Sequence, residues 1–285
     1  MIGLVVINYN DYINTISFIN SVKGYNCIKH IVIVDNCSTD GSYDELSKIV
    51  DDKVILIKNV SNKGYGSGIN LGSKYLIDNF DVDFIIVSNT DIIVNSEGDV
   101  KRLVSFFSDD IALIGPKILE NGSVNRGWKV PSAFDDALLN IPVIHRWLRK
   151  KLLFYNDRYY NDEFSIVDVV SGCFFIIRAD VLKNVGFYDE NVFLYYEENI
   201  MAVKLLRNGF RSLIVNDVSV IHNHSVTIDN SLSRIRKYKA LKKSQMYFHK
   251  VYSNGSFFSR LFLYLTDKVM LLLLYLVAFF KGGNK

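Results

Sequence analysis

Four short apolar runs occupy the first ninety residues of this chain, and each leads into an Asn or an Asp. They are GLVVIN, ending at Asn8; HIVIVD, ending at Asp35; KVILIKN, ending at Asn59; and DFIIVSN, which continues through Thr90 to Asp91. Segments of helical period lie between them. Residues 12–23 place Ile13, Ile16, Ile19 (or Phe18) and Val22 on one face. NCSTDGSYDELSKIV offers Ser38, Thr39 or Asp40 as a helix cap, with Asp44 and Glu45 near the positive end. GYGSGINLGSKYLID reads as a glycine-rich helix start. Continuous apolar strands between helices imply an α/β fold with a mostly parallel central sheet, covered on both faces. Such sheets bind ligands beyond the carboxyl ends of their strands, so Asn8, Asp35, Asn59 and Asp91 collect on the rim where a site belongs.

At 285 residues, 49% apolar and 22% charged, the chain is long enough to bury a full core. No internal repeat and no Ser/Gly/Pro-rich linker divides it. Cys27, Cys37 and Cys173 form no C-x-x-C pair, which disfavours a disulfide framework or a zinc knuckle and fits a reducing cytoplasm. The opening MIGLVVINYN reads as a strand, without the basic flank and long apolar stretch of a secretory leader. The net charge of +3 conceals a split: residues 231–285 carry 11 Lys/Arg and one acid, Asp267, which leaves about −7 on residues 1–230. A basic tail on an acidic body points to an anionic partner for the tail alone.

Farther along, IALIGPKIL is a strand followed by a Gly/Asn-rich turn, and residues 131–163 read as irregular and aromatic. FSIVDVVSGCFFIIRADVLKNVGFYDE reads as a strand, a helix and a turn. FLYYEENIMAVKLLRNGF is a helix that begins in acids and ends at Arg207-Asn208-Gly209. RSLIVNDVSVIHNHS closes the body with a strand and two histidines.

Several residues are candidates for chemistry, each with an ordinary structural alternative. Asp35 at a strand end can accept hydrogen bonds from a base or ribose, or close an Asx-turn. NKGYGSGINLG can cradle a diphosphate, but it lacks the Gly-Lys-Ser/Thr of a P-loop and does not match G-x-G-x-x-G. Asp91 is a hard oxygen ligand or a simple turn residue. Glu197 and Glu198 open a helix, where acids also serve as dipole partners.

Taken together, VVINYN, IVIVDNCSTDGS, NKGYGSGINLG, VSNTD, SGCFFIIRADVLKNVGFYDENVFLYYEEN and VIHNHS resemble the family 2 glycosyltransferases, in the family's order and spacing, over about residues 2–226. The subgroup looks like the rhamnosyltransferase-like enzymes of bacterial surface-polysaccharide (O-antigen or capsule) synthesis. The resemblance implies a GT-A fold over residues 1–230 and an inverting transfer of sugar from a nucleotide diphosphate, dTDP-rhamnose or a UDP-sugar, to a hydroxyl of a lipid-linked saccharide. It assigns Asp91 to a divalent metal, Mg²⁺ or Mn²⁺, with Asn89 in the nucleotide motif where relatives carry a second carboxylate. Asn8, Asp35, Asn62, Gly64 and Asn70 match the donor-binding blocks. Glu198 takes the place of the catalytic base, with Glu197 as neighbour, and the register leaves either as the base. His222 or His224 matches a late metal or phosphate contact, with His222 preferred. Arg126 and Trp128 fall where an acceptor loop would be. Ile200 replaces an acid that many relatives carry. That departure, with the thinned Asn-Thr-Asp motif, leaves a second reading: a non-catalytic, membrane-attached binding or assembly subunit of the same fold. A nucleotidyltransferase is disfavoured because VVINYNDYIN has no triphosphate loop.

The tail, residues 231–285, suits an enzyme held peripherally on the inner, cytoplasmic face of a bacterial membrane. Ser231–Tyr252 has Leu232, Ile235, Tyr238, Leu241, Phe248 and Val251 among its lysines, with an interruption at Ser244 and Gln245. Leu261–Phe280 is apolar except for Thr266-Asp267-Lys268, a charge pair that favours an in-plane or re-entrant helix on anionic lipid. No nucleic-acid-binding fold is evident.

Overall fold

A computed structural model describes residues 1–223 and 234–282. The first half is strand and helix in alternation: β1 (Ile2–Asn8), α1 (Tyr12–Val22), β2 (Ile28–Asp35), α2 (Ser42–Ser47), β3 (Val54–Lys58), α3 (Tyr65–Asn79) and β4 (Phe84–Ser88). β5 (Ile92–Val94), α4 (Glu97–Val104), β6 (Ile111–Glu120) and β7 (Ser123–Asn125) follow. Then come α5 (Ala133–Leu139), α6 (Pro142–Leu153), β8 (Phe164–Val167), β9 (Phe174–Arg178), α7 (Ala179–Asn184), α8 (Glu197–Arg207) and β10 (Arg211–His222). The tail forms α9 (Arg234–Val251) and α10 (Phe257–Gly282).

One sheet runs β3-β2-β1-β4-β9-β6-β10-β5. Its first four strands in this order are parallel, as expected from the sequence. β9 then enters antiparallel to β4 and β6, and β10 pairs parallel with β6. Helices cover both faces because the strands are apolar on both, and two buried clusters result. One is centred on Leu4, Phe18, Ile33 and Phe174, the other on Val5, Ile69, Phe175 and Leu205. β2 and β4 leave β1 on opposite sides, so the gap at the carboxyl ends of β1 and β4 is the switch point where such sheets take ligands.

The run FIIVSNTDIIV is two strands, not one. β4 stops at Ser88, and the Asn89 N–H turns aside to bond the Cys173 carbonyl at 2.8 Å. β5 resumes at the far edge, antiparallel to β10, with Ile92 opposite His222. Residues 131–163 are not irregular. Ser132 and Asp135 form a reciprocal capping box that starts α5, and Pro142 opens α6. FSIVDVVSGCFFIIRADV holds two strands, β8 and β9, separated by residues 168–173. Neither Ser38 nor Thr39 caps α2. Gly41 takes that place at φ +87°, and Asp40 accepts the Ser42 N–H.

The tail packs on the body. Ser244 and Gln245, which interrupt the apolar pattern of α9, lie on its buried side together with Phe248 and His249. Thr266 and Asp267 are buried likewise, and Asn140 at the end of α5 donates to the Thr266 hydroxyl at 3.0 Å. The polar break in α10 is therefore covered by protein. Beyond it Leu272, Leu276, Phe279 and Phe280 are exposed, and by length and composition Phe257–Phe280 could cross a bilayer.

Candidate active site

Parallel pairing of β1 with β2 sets Asn8 directly beside Asp35. Both side chains are fully buried, and Asn8 Nδ2 donates to Asp35 Oδ1 at 2.8 Å. Asn8 is held from behind by the Thr15 hydroxyl, while Ser38 N–H meets the other Asp35 oxygen at 3.2 Å. The next loop adds an amide ladder. Asn59 donates to Asn36, Asn36 donates to Asn62, and Asn62 accepts the Gly64 N–H. Asn8 therefore orients Asp35, and Asn62 shapes the loop leading into α3.

Two residues from the glycine-rich block, Asn70 and Gly64, have packing duties. Asn70 is buried; its amide donates to the Tyr188 carbonyl and Glu190 and accepts the Tyr188 N–H, so its hydrogen-bonding capacity is consumed inside the fold. Gly64 sits at φ +106°, where a Cβ would come within 2.2 Å of the Phe193 carbonyl oxygen; glycine is required for that approach.

The β5–β10 pairing answers why the β4 run ends in a carboxylate. It brings His222 Nε2 to 3.3 Å from Asp91 Oδ1, with Glu120 3.8 Å from the other ring nitrogen. Burial lowers the His222 pKa, but the two carboxylates outweigh it and the net shift is upward. His224 lies outside the described residues. An oxygen and an imidazole nitrogen at this separation suit one octahedral ion, whose neighbouring ligands stand about 3 Å apart. Among the described residues no group of three His, Cys, Asp or Glu side chains is arranged to hold a metal by itself.

Tyr65, Gly172 and Cys173, none of them a site candidate from the sequence, complete this wall. The Tyr65 hydroxyl donates to Asn89 Oδ1 and the Gly172 carbonyl, both at 3.1 Å. Burial, then the nearby Glu198, push the Tyr65 pKa well above that of an ordinary phenol, so it remains a donor. The only signal was its place immediately after Gly64 in the glycine-rich block.

Glu197 and Glu198 open α8. Glu198 lies against Gly172, where a methyl group would be 2.7 Å from its Oε1, and it accepts the Gly172 N–H. Burial raises its pKa. Glu197 is 5% exposed, and its Oε1 has no hydrogen-bond partner among the described residues. Burial, and then the charge of Glu198, push it up to about 8. The turn that presents them is strained: Tyr195 and Tyr196 have φ of +71° and +70°. Trp128 joins this corner through Nε1, which donates to Asn199 Oδ1 at 3.1 Å. Arg126 does not. It lies 3.8 Å from Asp157 and over the Tyr160 ring.

A buried carboxylate pair, a carboxylate–imidazole pair and a polar rim thus share the carboxyl edge of one sheet. A sequence model of glycosyl transferase family 2 matches residues 4–186. The chain belongs to glycosyl transferase family 2. It is 24% identical over 228 residues to the low-salt glycan biosynthesis hexosyltransferase Agl10 of Haloferax volcanii, covering 79% of this chain and 68% of the relative. It is 25% identical over 220 residues to the dTDP-rhamnosyl transferase RfbF of Shigella flexneri, covering 76% and 67%. In fold it resembles the mannosyltransferase PcManGT of Pyrobaculum calidifontis, solved with GDP-Man and Mn²⁺ (TM-score 0.58, 13% identity, 95% of this chain and 71% of that one). It also resembles GalNAc-T7, solved with UDP, GalNAc and Mn²⁺ (TM-score 0.59, 15% identity, 79% of this chain); there it spans less than half of the other chain, 44%. The fold is GT-A, and the protein is a glycosyltransferase using a nucleotide-sugar donor.

Proposed function

We propose that this glycosyltransferase moves one sugar, with inversion, from a nucleoside diphosphate donor to a hydroxyl of a lipid-linked saccharide at the inner face of the cell membrane. The observation that carries the chemistry is the buried pair at the start of α8, where Glu198 borders the Asn89–Asp91 wall through Gly172. Glu198 takes the proton of the acceptor hydroxyl as its oxygen attacks the anomeric carbon from the face opposite the diphosphate. The bond from that carbon to the diphosphate oxygen breaks, and the nucleoside diphosphate leaves. No covalent enzyme intermediate is needed. Glu197 binds the acceptor or tunes Glu198, and Trp128 lines the acceptor side. Asp35, oriented by Asn8, receives the nucleoside. Asp91 and His222 fit Mg²⁺ or Mn²⁺, which when bound would neutralise the charge growing on the departing diphosphate. The Shigella relative makes dTDP-rhamnose the first donor to test, with UDP-sugars next.

The basic tail and the exposed apolar end of α10 support peripheral attachment to anionic lipid. Ile200 does not weaken the catalytic reading, because it is 1% exposed and packs with Val192 and Phe248 as core.

Calorimetric titration with UDP, dTDP and GDP, each with and without Mn²⁺, tests the reading. Metal-dependent binding of one nucleotide is expected. Folded protein that binds none of them would favour a non-catalytic subunit.

A further inference from the structure

A cleft of about 420 Å³ opens between α9 and α10, away from the residues described above. Lys239, Lys243 and Lys268 stand exposed around it, and Lys242 is buried at its floor. Asp267 also lines it, 8% exposed, with Oδ1 buried and lacking a hydrogen-bond partner among the described residues. Met246, Tyr264 and Leu271 supply the apolar wall, and the exposed leucines of α10 continue outward from it. The floor is tied to the catalytic corner. Lys242 Nζ donates to Gln245 Oε1 at 2.8 Å, Gln245 Nε2 donates to the Tyr196 hydroxyl at 2.7 Å, and Tyr196 precedes Glu197.

We propose that this cleft binds the phosphate of the acceptor lipid, a glycosyl phosphate or diphosphate carried on an apolar chain. The three exposed ammonium groups of Lys239, Lys243 and Lys268 match phosphate oxygens, and the exposed face of α10 matches the chain. A free sugar phosphate would leave the apolar wall unused, and an apolar chain alone would leave the lysines unused. Gln245 and Tyr196 join the floor of this cleft to the turn that presents Glu197 and Glu198. The assignment rests on the transferase reading for its substrate and on the cleft for its place.

The test uses the full chain in detergent, titrated with farnesyl diphosphate, with farnesol and inorganic diphosphate as controls. Wild type should bind farnesyl diphosphate more tightly than either control. A Lys239→Gln/Lys243→Gln/Lys268→Gln variant should lose that binding by on the order of 100-fold, with its melting temperature unchanged. Unchanged affinity in the triple variant would overturn the proposal. So would a variant that keeps farnesyl diphosphate binding and loses only its binding to phosphatidylglycerol vesicles, because the lysines would then serve bilayer charge. Nucleotide titration of the same sample reports separately on the donor site. Farnesyl diphosphate binding without nucleotide binding would support the cleft and sink the transferase mechanism.

Discussion

His249 Nε2 lies 2.6 Å from Asp136 Oδ2, and the same carboxylate oxygen accepts the Tyr196 hydroxyl. One buried oxygen thus joins the tail helix α9, the body helix α5 and the residue before Glu197. Tyr196 is held at φ +70°, a conformation that a bulky side chain keeps only when its surroundings impose it. Removing the hydroxyl should loosen the turn without touching the donor rim. Tyr196→Phe is expected to lower kcat by about 10–100-fold, the usual cost of a small misplacement, with nucleotide affinity unchanged. His249→Gln keeps a donor for Asp136 and should retain more activity than His249→Ala. A raised KM for the donor with intact kcat would show that the tail acts elsewhere.

Asp91 and His222 come together only because β5 and β10 pair at the sheet edge. Asp91→Ala should abolish the Mn²⁺-dependent part of nucleotide binding and leave the metal-independent part. Glu120 steadies the imidazole from its other side, so Glu120→Gln should weaken metal affinity by about 10–100-fold. Titration of each variant with and without Mn²⁺ measures both. If Asp91→Ala binds nucleotide with the same metal dependence, the ion is held by other residues.

The parallel half of the sheet was readable because every one of its strands is apolar on both faces, and the polar residue closing each marked the rim. Asp91 and His222 were readable as candidates, but the contact between them comes from a pairing of segments about 130 residues apart, which no local pattern encodes. The packing roles of Asn70 and Gly64 were hidden for a related reason. A glycine-rich block looks the same whether it faces a diphosphate or the backbone of Phe193, and only tertiary contact distinguishes the two. The interruptions at Ser244-Gln245 and Thr266-Asp267 read as flaws in membrane-facing helices. They are the residues through which the tail meets the body, so a lapse in one periodicity marked a second buried face.

Glu198 is the base in this mechanism, and its burial against Gly172 sets a pH requirement. Burial raises its pKa, so activity should fall on the acid side at a pH above the ordinary glutamate range. Glu198→Gln should keep donor binding and lose turnover by about 10²–10⁴-fold, the usual worth of a positioned base. A pH–rate profile and a nucleotide titration check the two halves. Full activity in Glu198→Gln would transfer the role to Glu197.

Glu197 makes a prediction about stability instead of rate. Its folded pKa of about 8 lies above the ordinary glutamate value of 4.5, so between these values the folded state binds a proton that the unfolded state has released. Stability from this group is therefore complete below about pH 4.5 and is lost as pH rises through 8. Above that, an ionised carboxylate sits beside Glu198 with one oxygen unpartnered. Glu197→Gln removes the charge and keeps the shape. It should match wild type in stability near pH 4.5 and exceed it at pH 9, by an amount on the order of a few kcal/mol that growing solvation of the turn would reduce. Thermal melts at the two pH values decide it. An equal difference at both would mean that the effect comes from packing, and that Glu197 is not protonated in the folded protein.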